Sequence, residues 1–176
     1  VADAIGADWL WGIWSDGTMD HSGTWLAQTD FAQIAADTQL YDLAGTGNAG
    51  AMLQHNGENK LVSGSCQLNL QVGQRVTPML SGAFNLSNTD GDLLVFDVLG
   101  HVGADGKFLS NNSATYAMRV GNVPFDQASL TGQRIEAGLV GPGGASVPPI
   151  TGAVGDFTFL HGSLARADGR FGSDLR

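Results

Sequence analysis

The chain has 176 residues, 26 of them glycine, and is 43% hydrophobic and 14% charged. A formal charge of −9 with only 8 Lys+Arg excludes nucleic acids and anionic membranes as partners, because the protein's own field repels them. The apolar content excludes low-complexity disorder, no run approaches the roughly 18 apolar residues of a membrane-spanning helix, and so much glycine points away from long helices toward short strands and tight turns.

Residues 1–7 are a weak lead-in. WLWGIW, residues 9–14, is the most apolar short run and ends at a Ser15-Asp16-Gly17 turn. It reads either as a strand buried on both faces or as an edge strand whose tryptophans meet a partner. Alternation sends Trp9, Trp11 and Ile13 one way and Leu10 and Trp14 the other, so a second cover is needed. That cover is expected from residues 24–37 through Trp25, Phe31 and Ile34, the alternative being a neighbouring subunit. Trp9, Trp11, Trp14 and Trp25 are therefore the candidate interaction surface. Thr29-Asp30 is placed to cap one short helical turn through Phe31 and Ile34.

Residues 39–43 read as a strand that breaks at a Gly-Thr-Gly-Asn turn over 45–48, with residues 49–55 pairing back. Asn56-Gly57 is a strong hairpin signal. In 65–72, Cys66, Leu68, Leu70 and Val72 share one face and Gln67, Asn69 and Gln71 the other, which fits a wall with a packed inside and a wet outside. Residues 79–86 repeat the pattern with Phe84 and Leu86 inward. A turn over 87–92 leads to a strand over 93–98 that continues to His101. Asp105-Gly106 turns the chain again, and 113–120 carry Tyr116, Met118 and Val120 inward. After a loop around Pro124, residues 135–159 form a hairpin with Leu139, Phe157 and Phe159 toward a core. Residues 162–176 read as a polar tail with one short strand at 170–172.

Within that last hairpin, GLVGPGGA followed by TGAVGDFTF resembles the G-x-F-x-G-P-x-A … G-x-F strand pair of the small β-barrels in transferrin-binding-protein-type surface lipoproteins. Similar barrels occur as C-terminal domains of some bacterial transmembrane regulators, which also open with a Trp-Gly-x-Trp strand, and in secreted solute-binding proteins. The resemblance spans roughly residues 39–172. It implies an all-β fold, an antiparallel up-and-down β-barrel of about eight strands, rather than an open two-sheet sandwich of the same strands. The expected organisation is an N-terminal aromatic strand and covering segment over 1–38 and a barrel over 39–176, together one structural domain. The chain departs from the family in a longer loop at 145–149 and in the absence of a lipobox cysteine at its start. Low lysine, high glycine and acidity suit an exported bacterial protein, and the start at Val1 leaves room for a leader or domain upstream.

Residues with chemistry are sparse. Cys66, the single cysteine, allows no internal disulfide and sits as a small buried hydrophobe. His21, His55, His101 and His161 show no zinc spacing. His161 continues the face of Phe157 and Phe159, as a satisfied core histidine or, alternatively, as a barrel-end haem ligand. The acidic 88–92 loop, like Asp105-Gly106 and Asp168-Gly169, reads as an Asp-Gly turn and not as a calcium site, which needs six or more ordered oxygens. Gly45-x-Gly47-x-x-Gly50 precedes a strand, unlike a dinucleotide loop, and no G-x-S-x-G elbow exists. The expectation is thus no enzyme, no cofactor and no metal. What remains is a binding module that takes a protein or small-molecule ligand on loops 15–37, 121–127 and 142–150. The alternative is a subunit of an extracellular assembly that self-associates by strand pairing through the aromatic segment.

Overall fold

The computed structural model describes residues 2–5, 9–15, 20–26, 41–73, 76–110, 113, 115–141 and 150–176. They form two antiparallel sheets. The smaller has the order β1 (Ala2–Ile5), β2 (Trp9–Ser15), β3 (Asp20–Leu26). The larger has ten strands: β4 (Tyr41–His55), β5 (Glu58–Gly73), β6 (Val76–Ser87), β7 (Leu93–His101), β8 (Lys107–Ser110), β9 (Tyr116–Val120), β10 (Val123–Asp126), β11 (Gly132–Val140), β12 (Gly152–His161) and β13 (Ala165–Asp174).

The larger sheet runs β10-β9-β7-β6-β5-β4-β13-β12-β11-β8 and curls until β8 returns beside the end of β7, where Val102 bridges Phe108. Through that bridge the ring contains β4, β5, β6, β7, β8, β11, β12 and β13, and the hairpin β9-β10 lies against the first half of β7. The all-β, barrel-like expectation is met. Up-and-down order holds for β4 to β7 and for β11 to β13 and is interrupted by β8 to β10.

Inward parity is as the alternation predicts: Cys66, Leu68, Leu70, Phe84, Leu86, Tyr116, Met118, Leu139, Phe157 and Phe159 are all buried. Rings form a continuous column along the interior. Phe171 meets Phe84 edge-on at 5.0 Å, Phe84 stacks on Phe96 at 4.3 Å, Phe96 meets Phe159 at 4.9 Å, and Phe159 meets Tyr116 at 4.7 Å. Each such pair adds about 0.5–1.5 kcal/mol beyond the apolar area it buries. Apolar residues inside and polar residues outside are the reverse of a barrel whose wall faces lipid. Among the described residues no helix is long and apolar enough to cross a membrane.

Three local expectations are corrected. The 45–48 segment is no turn, because β4 is one strand of 15 residues. Its glycines answer a close approach: a methyl group at Gly45 would collide with the carbonyl oxygen of Asp174, and one at Gly47 with that of Gly172. Residues 162–176 are no tail, since β13 pairs along its length with β12 and β4 and joins the first strand of the barrel to the last meander. Asp168-Gly169 is mid-strand, where a methyl on Gly169 would collide with the Phe157 ring. By contrast, Asn56 and Gly57, both at positive φ (51° and 78°), form the two-residue turn that the sequence predicts. The described 3-10 turn is Gln127–Ser129, capped by Asp126; the turn expected at 29–34 lies outside the described residues.

Candidate functional site

Three regions bear on function: one end of the barrel and two stretches of its outer wall. At the end, His161 is 3% exposed. Its Nε2 is 2.7 Å from the Tyr116 hydroxyl and its Nδ1 is 3.0 Å from Ser129 Oγ, which also donates to the Asp126 carbonyl at 2.8 Å. One set of proton positions satisfies every group. Tyr116 donates to Nε2, Nδ1–H donates to Ser129, and the serine proton goes to Asp126. The other tautomer has Nε2–H donating to the Tyr116 oxygen, the tyrosine proton turned to Met118 Sδ at 3.6 Å, and Ser129 donating to Nδ1. The contacts alone thus do not set the direction of the serine proton. Burial pushes the His161 pKa below its ordinary value, only partly opposed by Ser129 and the charge of Asp126. Burial also raises the Tyr116 pKa. The trio latches the 3-10 turn onto the barrel end, the satisfied core histidine that the sequence allowed.

Around the latch, Phe125 packs 4.9 Å from the His161 ring and 5.1 Å from that of His55, whose Nδ1 lies 3.0 Å from the Leu164 carbonyl. Asp92, 2% exposed, accepts from Gly121 N at 2.7 Å and from Asn88 Nδ2 at 2.9 Å. Burial alone raises the Asp92 pKa, but those hydrogen bonds and the charges of Lys60 and Arg119 outweigh it and hold the carboxyl below the usual range. The 88–92 segment is therefore a clamp between hairpins. Among the described residues no group of acids, histidines and cysteine is arranged to hold a metal. Cys66 is buried, and desolvation pushes its thiol up to about 12, so it is not a reactive thiolate.

The wall made by β11, β12 and β13 is charged. Arg134 pairs with Glu136 and Arg166 with Asp168, while Thr158 donates to Asp168 at 2.8 Å and Arg170 lies 3.6 Å from Asp156. Burial raises the Asp156 pKa, and Arg170 pulls it back only in part. A groove of about 470 Å³ runs here, lined by Asp156, Thr158, Arg166, Asp168 and Arg170 and by Ile13 and Met52.

The wall made by β4, β5 and β6 is neutral. One row crosses the strands in register: Arg176, Ala44, Asn69, Ser81, Leu99. Thr46 and Gln67 pair on one side of it, and Asp42, Gln71, Met79 and His101 on the other. Two shallow hollows of about 610 Å³ and about 310 Å³ share Ala44 and Asn69 and so make one groove along the row. Residues from five strands meet in it, which no linear motif records. The Asn-Gly turn at 56–57 sets this register, and Ala44 comes opposite Asn69 because β4 runs unbroken through 45–48.

Of the tryptophans singled out from sequence, Trp11 is 1% exposed and packs with Ile13 onto Met52, Val140 and Val154 on the outside of the barrel. The barrel wall thus covers the Trp11 and Ile13 face, while Leu10 on the other face is 37% exposed and the cover expected there from Phe31 and Ile34 lies outside the described residues. The Trp11 indole N–H has no acceptor among the described residues. Trp9 and Trp14 lie on β2 and Trp25 on β3, opposite Leu26, His21 and Leu10 respectively. Of the loops expected to bind, 20–26 is strand β3, 121–127 is a tight turn followed by β10, and 142–149 lies outside the described residues. Comparison of the chain with models of known protein families and with curated proteins finds no match.

Proposed function

We propose that the chain is a non-catalytic, exported β-barrel binding module, akin to the transferrin-binding-protein-type barrels it resembles, that takes a protein or small-molecule ligand on its outer surface. One observation carries this reading. The interior is occupied by the column of rings, and the grooves lined by polar side chains lie outside, on the walls. A barrel of about eight strands is just wide enough for its own side chains, so a ligand has to be met on the wall or at the loops.

The test combines an apolar fluorescent probe that enters hollow barrels with a chromogenic ester. Expected are no saturable uptake of the probe and no turnover above background. Uptake quenched by the ring column would overturn the first half of the reading. Turnover abolished by Ser129→Ala would overturn the second.

A second reading, a subunit of an extracellular assembly joined by strand pairing, is favoured by the small sheet. Among the described residues its outer strands β1 and β3 each pair on one side only, and no described barrel strand pairs with them. Light scattering on a sizing column separates the two: a concentration-independent monomer belongs to the first, a growing series of oligomers to the second.

A further inference from the structure

We propose that the cross-strand groove of the neutral wall binds a neutral oligosaccharide lying at right angles to the strands. This rests on the binding-module reading and names its site and ligand class.

The groove has a short-chained floor and taller sides. Ala44, Asn69 and Ser81 form the floor, with Gln67 on one flank and Gln71 and Met79 on the other. The floor cannot shift easily, because the inward neighbours Leu68, Leu70 and Leu80 are each no more than 1% exposed and locked in the core. A fixed array loses little freedom on binding.

Asn69, Gln67, Gln71, Thr46 and Ser81 have no side-chain hydrogen-bond partner among the described residues. On the charged wall the opposite holds, with arginines, aspartates and threonine bound to one another. Each amide offers both a carbonyl acceptor and an NH2 donor, and each hydroxyl can do either. A sugar ring offers the same mixed set of hydroxyls. The floor and flanks carry no charge; Asp42 stands at one corner, and Asp174 and Arg176 at the β13 end. Between Asp42 and the Asp174–Arg176 end a charged ligand would lose its water with no counter-charge to replace it, whereas a polyol loses and regains hydrogen bonds of equal kind. An extended peptide would seek a free strand edge, and β4, β5 and β6 are each paired on both sides. At the far end Leu99, 60% exposed, and Met79 offer an apolar surface for the C–H face of a ring. From β13 to β7 the groove spans four strand spacings, about 19 Å, room for about four pyranose rings.

The experiment uses the isotopically labelled protein and follows backbone and side-chain amide NMR signals. The probes are maltotetraose, cellotetraose and the N-acetylated chitin tetramer, with tetragalacturonate as the charged control. At least one neutral tetramer is expected to give saturable shifts confined to Thr46, Gln67, Asn69, Gln71 and Ser81, with none from tetragalacturonate. Ala44→Arg, which fills the floor from an exposed position, abolishes them while the thermal unfolding curve is unchanged. Asn69→Ala weakens the affinity roughly three- to tenfold, the loss of about one net hydrogen bond. Silence of the groove signals with all three neutral tetramers overturns the proposal. Saturable shifts at the barrel-end loops instead also overturn it but leave the binding module standing. Equal binding of tetragalacturonate overturns the neutral ligand class. Cleavage of any probe removes the non-catalytic reading itself.

Discussion

The two outer walls are built on the same curled sheet and share one core, yet they treat polar side chains in opposite ways. On β11 to β13 the outward groups are long, charged and bound to one another, within a strand at Arg134–Glu136 and Arg166–Asp168 and across strands at Arg170–Asp156 and Thr158–Asp168. On β4 to β6 the groups that line the groove, Thr46, Gln67, Asn69, Gln71 and Ser81, are uncharged hydroxyls and amides. Cross-strand pairs are worth only about 0.2–1 kcal/mol each, so neither wall explains why the barrel stands. Stability comes from inside, and the outside is left to differ. The comparison teaches that exposure alone does not make a surface available: the charged wall is occupied by itself.

The largest effect should come from removing what both walls lean on. Phe96→Ala deletes a ring touched by Phe84, Phe157 and Phe159 and is expected to cost about 3–5 kcal/mol in urea unfolding. A loss below about 1 kcal/mol, the scale of a surface pair, would show that the walls carry more than the core. Next is the seam where the two walls join. Gly47→Ala forces a methyl group into the backbone of β13 and should cost about 1–3 kcal/mol, with the first loss of amide protection in β4 and β13.

A smaller effect separates the barrel end from both walls. His161 has its pKa lowered by burial from the ordinary 6.5, so the unfolded chain binds the proton more readily. Stability is then complete above about pH 6.5 and is lost as the pH falls through the folded pKa. Asp92, also lowered overall, contributes stability that is complete above the ordinary carboxylate range and is lost at lower pH still. His161→Gln should flatten the first slope and Asp92→Asn the second in unfolding curves taken across pH. A stability that rises on acidification through pH 6 would contradict the latch.

The smallest effects bear on the walls directly. Asp168→Asn should cost at most about 1 kcal/mol at low salt and nothing measurable at about 1 M salt, where the screening length is about 3 Å. Asn69→Ala should change stability by no more than about 0.5 kcal/mol at any salt. A salt-dependent loss at Asn69 would erase the distinction.

Much of the inside was legible because parity within a strand is a local property. Cys66, Leu68 and Leu70, or Phe157 and Phe159, declare their face without knowledge of any partner. Glycine misled where its reason was distant: at 45 and 47 it makes room for β13, more than a hundred residues on, yet locally it looks like a turn. The same distance hid β13, whose polar outward residues and small inward ones read as a tail until their partners are known. The groove was half legible. The Asn-Gly turn sets Ala44 opposite Asn69 only when β4 runs unbroken through 45–48, where the glycines look like a turn. The next hairpin carries a register shift between Gln71 and Gly73, without which Asn69 cannot be placed opposite Ser81. The Arg170–Asp156 pair was illegible for the same reason, since the two meet only once β12 and β13 are aligned, whereas Arg134–Glu136 and Arg166–Asp168 are two apart on one strand.

The bridge between Val102 and Phe108 is where this barrel can breathe. Elsewhere a strand is held to its neighbour by many rungs, as where β4 pairs with β5 from Tyr41 to His55, whereas between β7 and β8 the ring is held by this bridge and the turn beyond it. Phe108, 3% exposed and lying over Gly100, seals the gap from within. Opening there breaks few hydrogen bonds and leaves the ring column untouched, so its free energy lies well below that of global unfolding. In hydrogen exchange the amides of Gly103 and Gly106, bonded within this turn, should trade protons long before those of β5. Under a pulling force the barrel would unzip from this line, with the hairpin β9-β10 peeling away alongside β7.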